Sequence, residues 1–402
     1  MFGLSLQMIT KPLTHSMKPT LPLLVLFALA TPLSIPQAYA ATSHPVSLDL
    51  KVKSSSISVV SGYSPGQIKT AYGIQTLPQN GAGQTIGIID AYDAPTIQQD
   101  LANFTTHFKL PSLTTNCTIK PGISPCFEKT YANKTKPVAN ASWAQETSLD
   151  VEWAHAIAPQ ANILLVEAST DTTESLMQAV DIATKRGASV ISMSWGGPEF
   201  STEKNLDTHF HHTTSTYIAS AGDNGNATSY PAASPYVLSV GGTTLKLNQA
   251  GSIAQETAWN GSGGGVSIYE SQPTYQKKVS KVTKRSIPDV SYDADPETGF
   301  AVYDSTAYQG NSGWLNVGGT SAGAPQWAGI IALANQGKTK PLHSNLSTQP
   351  LYQQASKAPT IFRDIFSGTN GSCGLICTAS NGYDTLTGLG SPKANLLVPA
   401  LQ

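Results

Sequence analysis

Charge is scarce in this chain. Basic and acidic side chains number 24 and 25, only 12% of all residues, and the formal charge is −1. So balanced a chain has no electrostatic footprint for nucleic acid or for an anionic membrane. The one basic run, Lys277-Lys278 with Lys281, Lys284 and Arg285, lacks interleaved aromatics and reads as a solvated loop. Cysteine is also sparse, at four. Neither cysteine pair has zinc-knuckle spacing with nearby histidines, which disfavours a zinc site. No internal repeat, polar tail or disordered repeat is evident. Only one long apolar run occurs, residues 21–35, and Pro22 and Pro32 weaken it as a membrane helix.

That run reads as an export signal. Lys18 precedes it and Ala38-Tyr39-Ala40 supplies the small residues of a cleavage site, so residues 1–40 are expected to be a signal peptide. Met17-Lys18 would start a signal of ordinary length. Cleavage after Ala40 removes two lysines and no acids, leaving a charge of −3. A secreted, soluble monomer is expected, extracellular or periplasmic. Export permits disulfides. Cys117 and Cys126 bracket a short Pro/Gly loop and Cys373 and Cys377 another, so pairing of 117 with 126 and of 373 with 377 is the preferred reading.

What is abundant is punctuation: 34 glycines and 26 prolines mark a loop-rich fold. From residue 84 the pattern alternates strand and helix. Strands are expected at 84–90, 161–168, 188–194, 216–221 and 236–240. Helices are expected at 94–108 (opened by Pro95), 142–158 (ended by Pro159), 172–186 and 322–336, with 205–213 as a further helical candidate. Repeated strand–helix units imply an α/β fold, a mainly parallel central sheet with helices on both faces. Chemistry in such sheets sits at the carboxyl ends of strands. Asp90 ends one strand, Trp195-Gly196 follows another and Asp223 a third.

Gly318-Gly319-Thr320-Ser321-Ala322-Gly323-Ala324-Pro325 is the most informative segment. The glycine pair permits a tight bend, and Ser321 then stands at a helix N-terminus, where backbone N–H groups favour an oxyanion. The plainer reading is a serine that merely caps the helix. Glu146 and Asp150 are four residues apart on one helix and share a face. With Leu149, Trp153 and Ile157 beside them that helix reads as buried, and two like charges there must share a proton or keep one acid neutral. A solvated acid pair is the ordinary alternative. Set against a serine, Glu146 would be the base and Asp150 the group that holds it and tunes its pKa. Asp223, in Gly222-Asp223-Asn224-Gly225, is either a turn aspartate or an oxyanion stabiliser. The second role requires a proton on the carboxyl, and a free Asp titrates near ~3.9, so activity would favour acidic pH.

The serine octet resembles the nucleophile segment shared by subtilisins and sedolisins. None of the eight histidines has the His-Gly-Thr context of a subtilisin base. Together, Tyr63-Ser64-Pro65, Tyr72-Gly73, Glu146 with Leu149-Asp150, Ala158-Pro159-Gln160-Ala161, Ser194-Trp195-Gly196, Gly222-Asp223, Gly263-Gly264-Gly265, Pro288-Asp289-Val290, Gly319-Thr320-Ser321 and Gly388-Leu389-Gly390-Ser391-Pro392 resemble the sedolisin family of serine-carboxyl peptidases. The resemblance implies a subtilisin-like fold over residues 62–402 and hydrolysis of peptide bonds in protein or peptide substrates. It implies Ser321 as nucleophile, Glu146 as base, Asp150 as its partner and Asp223 as oxyanion acid. Asp90 would extend the chain of acids, and Ser194, Trp195 and Gly196 would form the edge that takes substrate backbone.

It also implies one structural calcium, held by the Asp364 and Asp384 side chains and the carbonyls of Ile365, Ser380 and Gly382, oxygen donors that suit this ion. The family usually has glycine where Ser380 stands. Residues 41–61 leave no room for the large propeptide common in the family. Two alternatives stay open: a subtilisin-type protease with an unnoticed histidine base, and a secreted binding protein that keeps the fold without catalysis.

Overall fold

The structure, a computed structural model, describes residues 60–402 except 121–124. The apolar run 21–35, the Ala38-Tyr39-Ala40 site and the extension up to residue 59 lie outside the described residues. Eight strands form one sheet: β1 (Thr85–Ala91), β2 (Phe127–Tyr131), β3 (Asn162–Ala168), β4 (Val190–Met193), β5 (Thr216–Ser220), β6 (Val237–Leu247), β7 (Ile253–Ala258) and β8 (Val290–Asp293). Their order is β8-β6-β5-β4-β1-β3-β2, and all these neighbours are parallel; β7 alone pairs antiparallel, with β6.

Strand sequences explain the layers. In β3, Ile163 and Leu165 join one apolar cluster while Leu164 and Val166 join the other, because successive side chains point to opposite faces. The first cluster is closed by α1 (Pro65–Ala71), α2 (Ile97–His107), α3 (Ala141–Ile157) and α5 (Thr320–Asn335), and the second by α4 (Thr173–Lys185). Every residue of α5, and residues 143–157 of α3, are buried, as expected of helices enclosed on all sides. Asn140 caps α3, its side chain accepting from Ser142 N and Trp143 N at 3.1 and 3.3 Å. α3 and α5 approach closely: a Cβ on Gly329 would lie 2.6 Å from Ile157 Cγ2. A hairpin, β9 (Phe300–Tyr308) and β10 (Asn311–Val317), covers α3, where Trp153 Nε1 donates to Ala301 O at 2.9 Å. Among the described residues no helix is long and apolar enough to cross a membrane.

Several expectations need correction. The second helix starts at Ile97, not before Pro95, because the backbone of Asp93 and Ala94 is tied to Val138 O and Glu167 Oε1. The 205–213 candidate is a 3₁₀ segment, Glu203–His209, ended by an i→i+3 bond from Phe210 N to Asp207 O. The strand expected at 236–240 runs on to Leu247, hidden by Gly241-Gly242. Side chains there would collide with Pro288 and Ala294, at 2.5 and 2.8 Å. The basic run is only partly a solvated loop. Arg285 is fully buried and grips Asp289 through two bonds of 2.7 and 2.6 Å. Cys117 is bonded to Cys126 and Cys373 to Cys377.

Candidate active site

Asp90, Ser194 and Asp223 leave the carboxyl ends of β1, β4 and β5. These strands are neighbours, and the order reverses between β1 and β4, the place where a parallel sheet opens a crevice. α3 and α5 bring Glu146, Asp150 and Ser321 to the same place. Gly319, with φ of 114°, turns the chain into α5, a conformation that favours glycine. Ser321 is therefore the second residue of that helix rather than the one before it.

Pro325 lies inside α5 and has no N–H, so Ser321 O lacks the helical donor four residues on. Ser194 supplies a substitute: its Oγ is 3.2 Å from Ser321 O and 2.8 Å from Asp150 Oδ1. Ser321 Oγ in turn lies 3.4 Å from Ser194 O. The nucleophile candidate, the strand end and the acid pair are thus joined by one hydroxyl.

The carboxyl groups are buried together. Burial pushes Asp90 up to about 7. Burial also raises Glu146 well above the usual range, reinforced by the charges of Asp90 and Asp223 and opposed by a hydrogen bond from Ser321. Asp150 is raised by burial first, then by the charges of Asp90 and Glu146, against a hydrogen bond from Ser194. Glu146 Oε1 and Asp150 Oδ2 are buried with no donor to accept from. Such a group of acids holds protons in common rather than several bare charges.

Asp223 is oriented from α5. Thr320 N and Thr320 Oγ1 donate to Asp223 Oδ1 at 2.8 and 2.7 Å, and Gly222 N donates to Thr320 Oγ1 at 3.1 Å. The other oxygen, Oδ2, lies over Gly319, where a Cβ would stand 2.6 Å from it. Glycine at 319 is required both for its backbone angle and for this approach. Trp195 does not offer its side chain to a ligand: it is buried and its Nε1 donates to Ile89 O at 2.8 Å.

Comparison with known proteins gives the family. The Peptidase_S8 profile, the subtilase family, matches residues 132–371. Sedolisin from Pseudomonas sp. (strain 101) is 29% identical over 364 residues, 82% of this chain and 60% of that protein. Kumamolisin from Bacillus sp. (strain MN-32) is 35% identical over 291 residues, 64% of this chain and 50% of the other. The solved Pseudomonas sedolisin, a serine-carboxyl proteinase complexed with two molecules of pseudo-iodotyrostatin, superposes with a TM-score of 0.72 at 28% identity, covering 85% of this chain and 98% of that one. The chain belongs to the sedolisin branch of the subtilases. It spans half to three-fifths of the length of those two full relatives.

In this sedolisin-family chain the C-terminal candidates also converge. Asp364 Oδ2 accepts from Gly382 N at 2.9 Å, and Asp384 Oδ2 accepts from Ser380 N at 2.9 Å. Two carboxylates thus reach residues 380–382. Among the described residues no group of three or more His, Cys, Asp or Glu is placed to hold a metal.

Acids away from the site behave alike. Glu152, on the other face of α3, is buried with Asp100 and Asp304, and burial pushes Glu152 well up and Asp304 up to about 7. Below the ordinary carboxyl range both folded and unfolded chains are protonated at Asp90 and Asp304. Between that range and pH 7 the folded chain keeps protons that the unfolded chain has released, so stability falls as pH rises and this contribution is gone above the folded pKa. The melting temperature should therefore drop between about pH 4 and about pH 8, by upwards of ~5 °C at roughly 2–4 °C per kcal/mol. Calorimetry that finds it flat or rising would contradict this.

Proposed function

We propose that the chain is a secreted serine-carboxyl endopeptidase that cuts peptide bonds in proteins and favours acidic pH. The observation that carries the reading is the buried set of acids joined to Ser321 through Ser194. In the first step Ser321 Oγ attacks the peptide carbonyl carbon and its proton passes to ionised Glu146, while Asp150 and Asp90 retain the shared proton that keeps Glu146 in place. The electron pair of the C=O moves to oxygen, and protonated Asp223 donates a hydrogen bond to that oxyanion. Collapse breaks the C–N bond, and Glu146 returns the proton to the leaving amine. Water then repeats the sequence on the acyl-enzyme and releases the acid product.

Four of the described histidines are engaged elsewhere. His155, nine residues after Glu146 on α3, is displaced by ~13 Å along the helix, and burial pushes its pKa down to about 4. His209 pairs with Asp181, His211 stacks on Tyr236, and His107 lies against Phe108 and Trp314. The direct test is a peptide-library digest across pH, read by mass spectrometry. Wild type should cleave at acidic pH and Ser321→Ala should not. Absence of cleavage by wild type, or cleavage retained in the variant, would overturn the reading.

Calcium would be held by Asp364 and Asp384 with the carbonyls of Ile365, Ser380 and Gly382, and when bound it would cross-link the C-terminal segment. Millimolar calcium should raise the melting temperature by several degrees, of order 1–2 kcal/mol by mass action. A chelator should reverse this and Asp364→Asn should abolish the response. Identical melting with calcium and with chelator would remove the ion from the account.

A further inference from the structure

The Cys373–Cys377 bond closes a short turn whose contents face water. Leu375 is 90% exposed and Ile376 52%. Single exposed aliphatic residues are ordinary, but here two in succession are displayed by a covalently closed turn. Thr385 Oγ1 fixes the turn by donating to Ile376 O at 2.6 Å.

The turn stands beside the active site. Asn226 N donates to Asn370 O at 2.9 Å, and Asn370 Nδ2 donates to Ser262 O at 2.9 Å. A Cβ on Gly371 would lie 3.0 Å from Asn226 Cβ and 3.1 Å from Cys377 Sγ. Asn226 is three residues beyond Asp223, a chain reach of at most ~10 Å. A polypeptide lying across Ser321 toward Asp223 would run on toward the segment that carries this turn.

We infer that Leu375 and Ile376 form an apolar lip of the substrate cleft, which binds aliphatic or aromatic side chains of a substrate polypeptide a few residues from the bond that is cut. This rests on the peptidase reading above. Two side chains are far too small a patch for a stable dimer, which buries roughly 1,200–2,000 Å², but they suffice to grip one apolar side chain. The closed turn holds them in place before binding, so little ordering is lost on contact.

The test uses Ser321→Ala protein, whose binding needs no turnover, with and without Leu375→Ser/Ile376→Ser. Two fluorescent twelve-residue peptides of the same Gly/Ser/Thr frame are compared by anisotropy, one carrying Leu and Phe at alternate positions and the other Ser there. The lip substitutions should weaken the apolar peptide by about tenfold, leave the polar peptide unchanged, and not move the melting temperature. No change for the apolar peptide, an equal loss for both, or binding of neither overturns the inference. So does a dimer seen by sedimentation and abolished by the double variant, because a second copy would then cover the lip. Lip-dependent binding by a wild type that cleaves neither peptide would keep the inference and sink the catalytic reading instead.

Discussion

Glu146→Gln should lower kcat by about 10²–10⁴-fold, the usual worth of a positioned general base, while Asp223→Asn should cost much less and weaken the bias toward acid. The difference follows from what each group must do. In the proposed mechanism Glu146 must accept the Ser321 proton, and a glutamine in the same place cannot. In that mechanism Asp223 must donate, and an amide donates at every pH. Thr320 N and Oγ1 both point at Asp223 Oδ1, so an asparagine would settle with its oxygen there and its NH₂ at the Oδ2 position. Asp223→Ala removes the donor outright and should cost about 10²–10³-fold. Initial rates for the three variants on one peptide across pH check the order. If Asp223→Asn is as damaged as Glu146→Gln at every pH, the two acids do not have these separate duties.

Arg285→Ala should destabilise the fold by about 3–5 kcal/mol, because it strands Asp289 in the interior. Both side chains are fully buried. Arg285 also donates to Ser286 O and Val237 O at 2.7 and 3.2 Å, and Ser286 O keeps donors from Gln276 Nε2 and Tyr383 Oη when Arg285 is removed. Asp289 keeps bonds from Ser239 N and Tyr352 Oη, at 2.8 and 2.9 Å, which limits the loss. The pair anchors the start of β8 beside β6, under the sheet rather than in the cleft. The melting temperature should therefore fall by on the order of 10 °C while kcat/KM, measured well below the transition, stays near wild type. A solvated lysine-type position would change stability by less than about 0.5 kcal/mol, and that result would return Arg285 to the surface loop.

Arg285 shows where reading along the chain stops. Its neighbours Lys277, Lys278 and Lys281 lend it the look of a solvated run, and the counter-clue is Asp289, four residues on, which only a folded turn brings underneath. Gly241-Gly242 concealed the continuation of β6 in the same way: its apolar pattern breaks there because Pro288 and Ala294 occupy the space where side chains would stand. The main site was more legible. Asp90, Ser194 and Asp223 each follow an apolar strand run, and adjacent parallel strands deliver their ends to one crevice. The i,i+4 spacing alone puts Glu146 and Asp150 on one helix face. What spacing could not reveal was the Ser194 hydroxyl bridging Asp150 and Ser321 O, since that depends on Pro325 withholding a donor from a helix 127 residues away in sequence. Thr320, which aims Asp223, was visible only as part of a motif. Glu152 was invisible as a buried acid, because its partners Asp100 and Asp304 come from α2 and β9.

The role of Ser194 links the two levels. A hydroxyl at the end of β4 can serve Asp150 and Ser321 O together only while α3 and α5 keep their close approach at Gly329 and Ile157. The geometry of the candidate site is thus set by helix packing as much as by the acids themselves.

Hydrolysis of one peptide followed from pH 3 to pH 9, as kcat/KM for wild type and Glu146→Gln, bears most directly on whether carboxyl groups alone activate the serine. The expected profile is highest on the acid side, falls as neutrality is approached, and collapses in the variant at every pH. A rate that climbs through pH 7 to an alkaline plateau, and survives Glu146→Gln, would mean that an imidazole or some other base does the work.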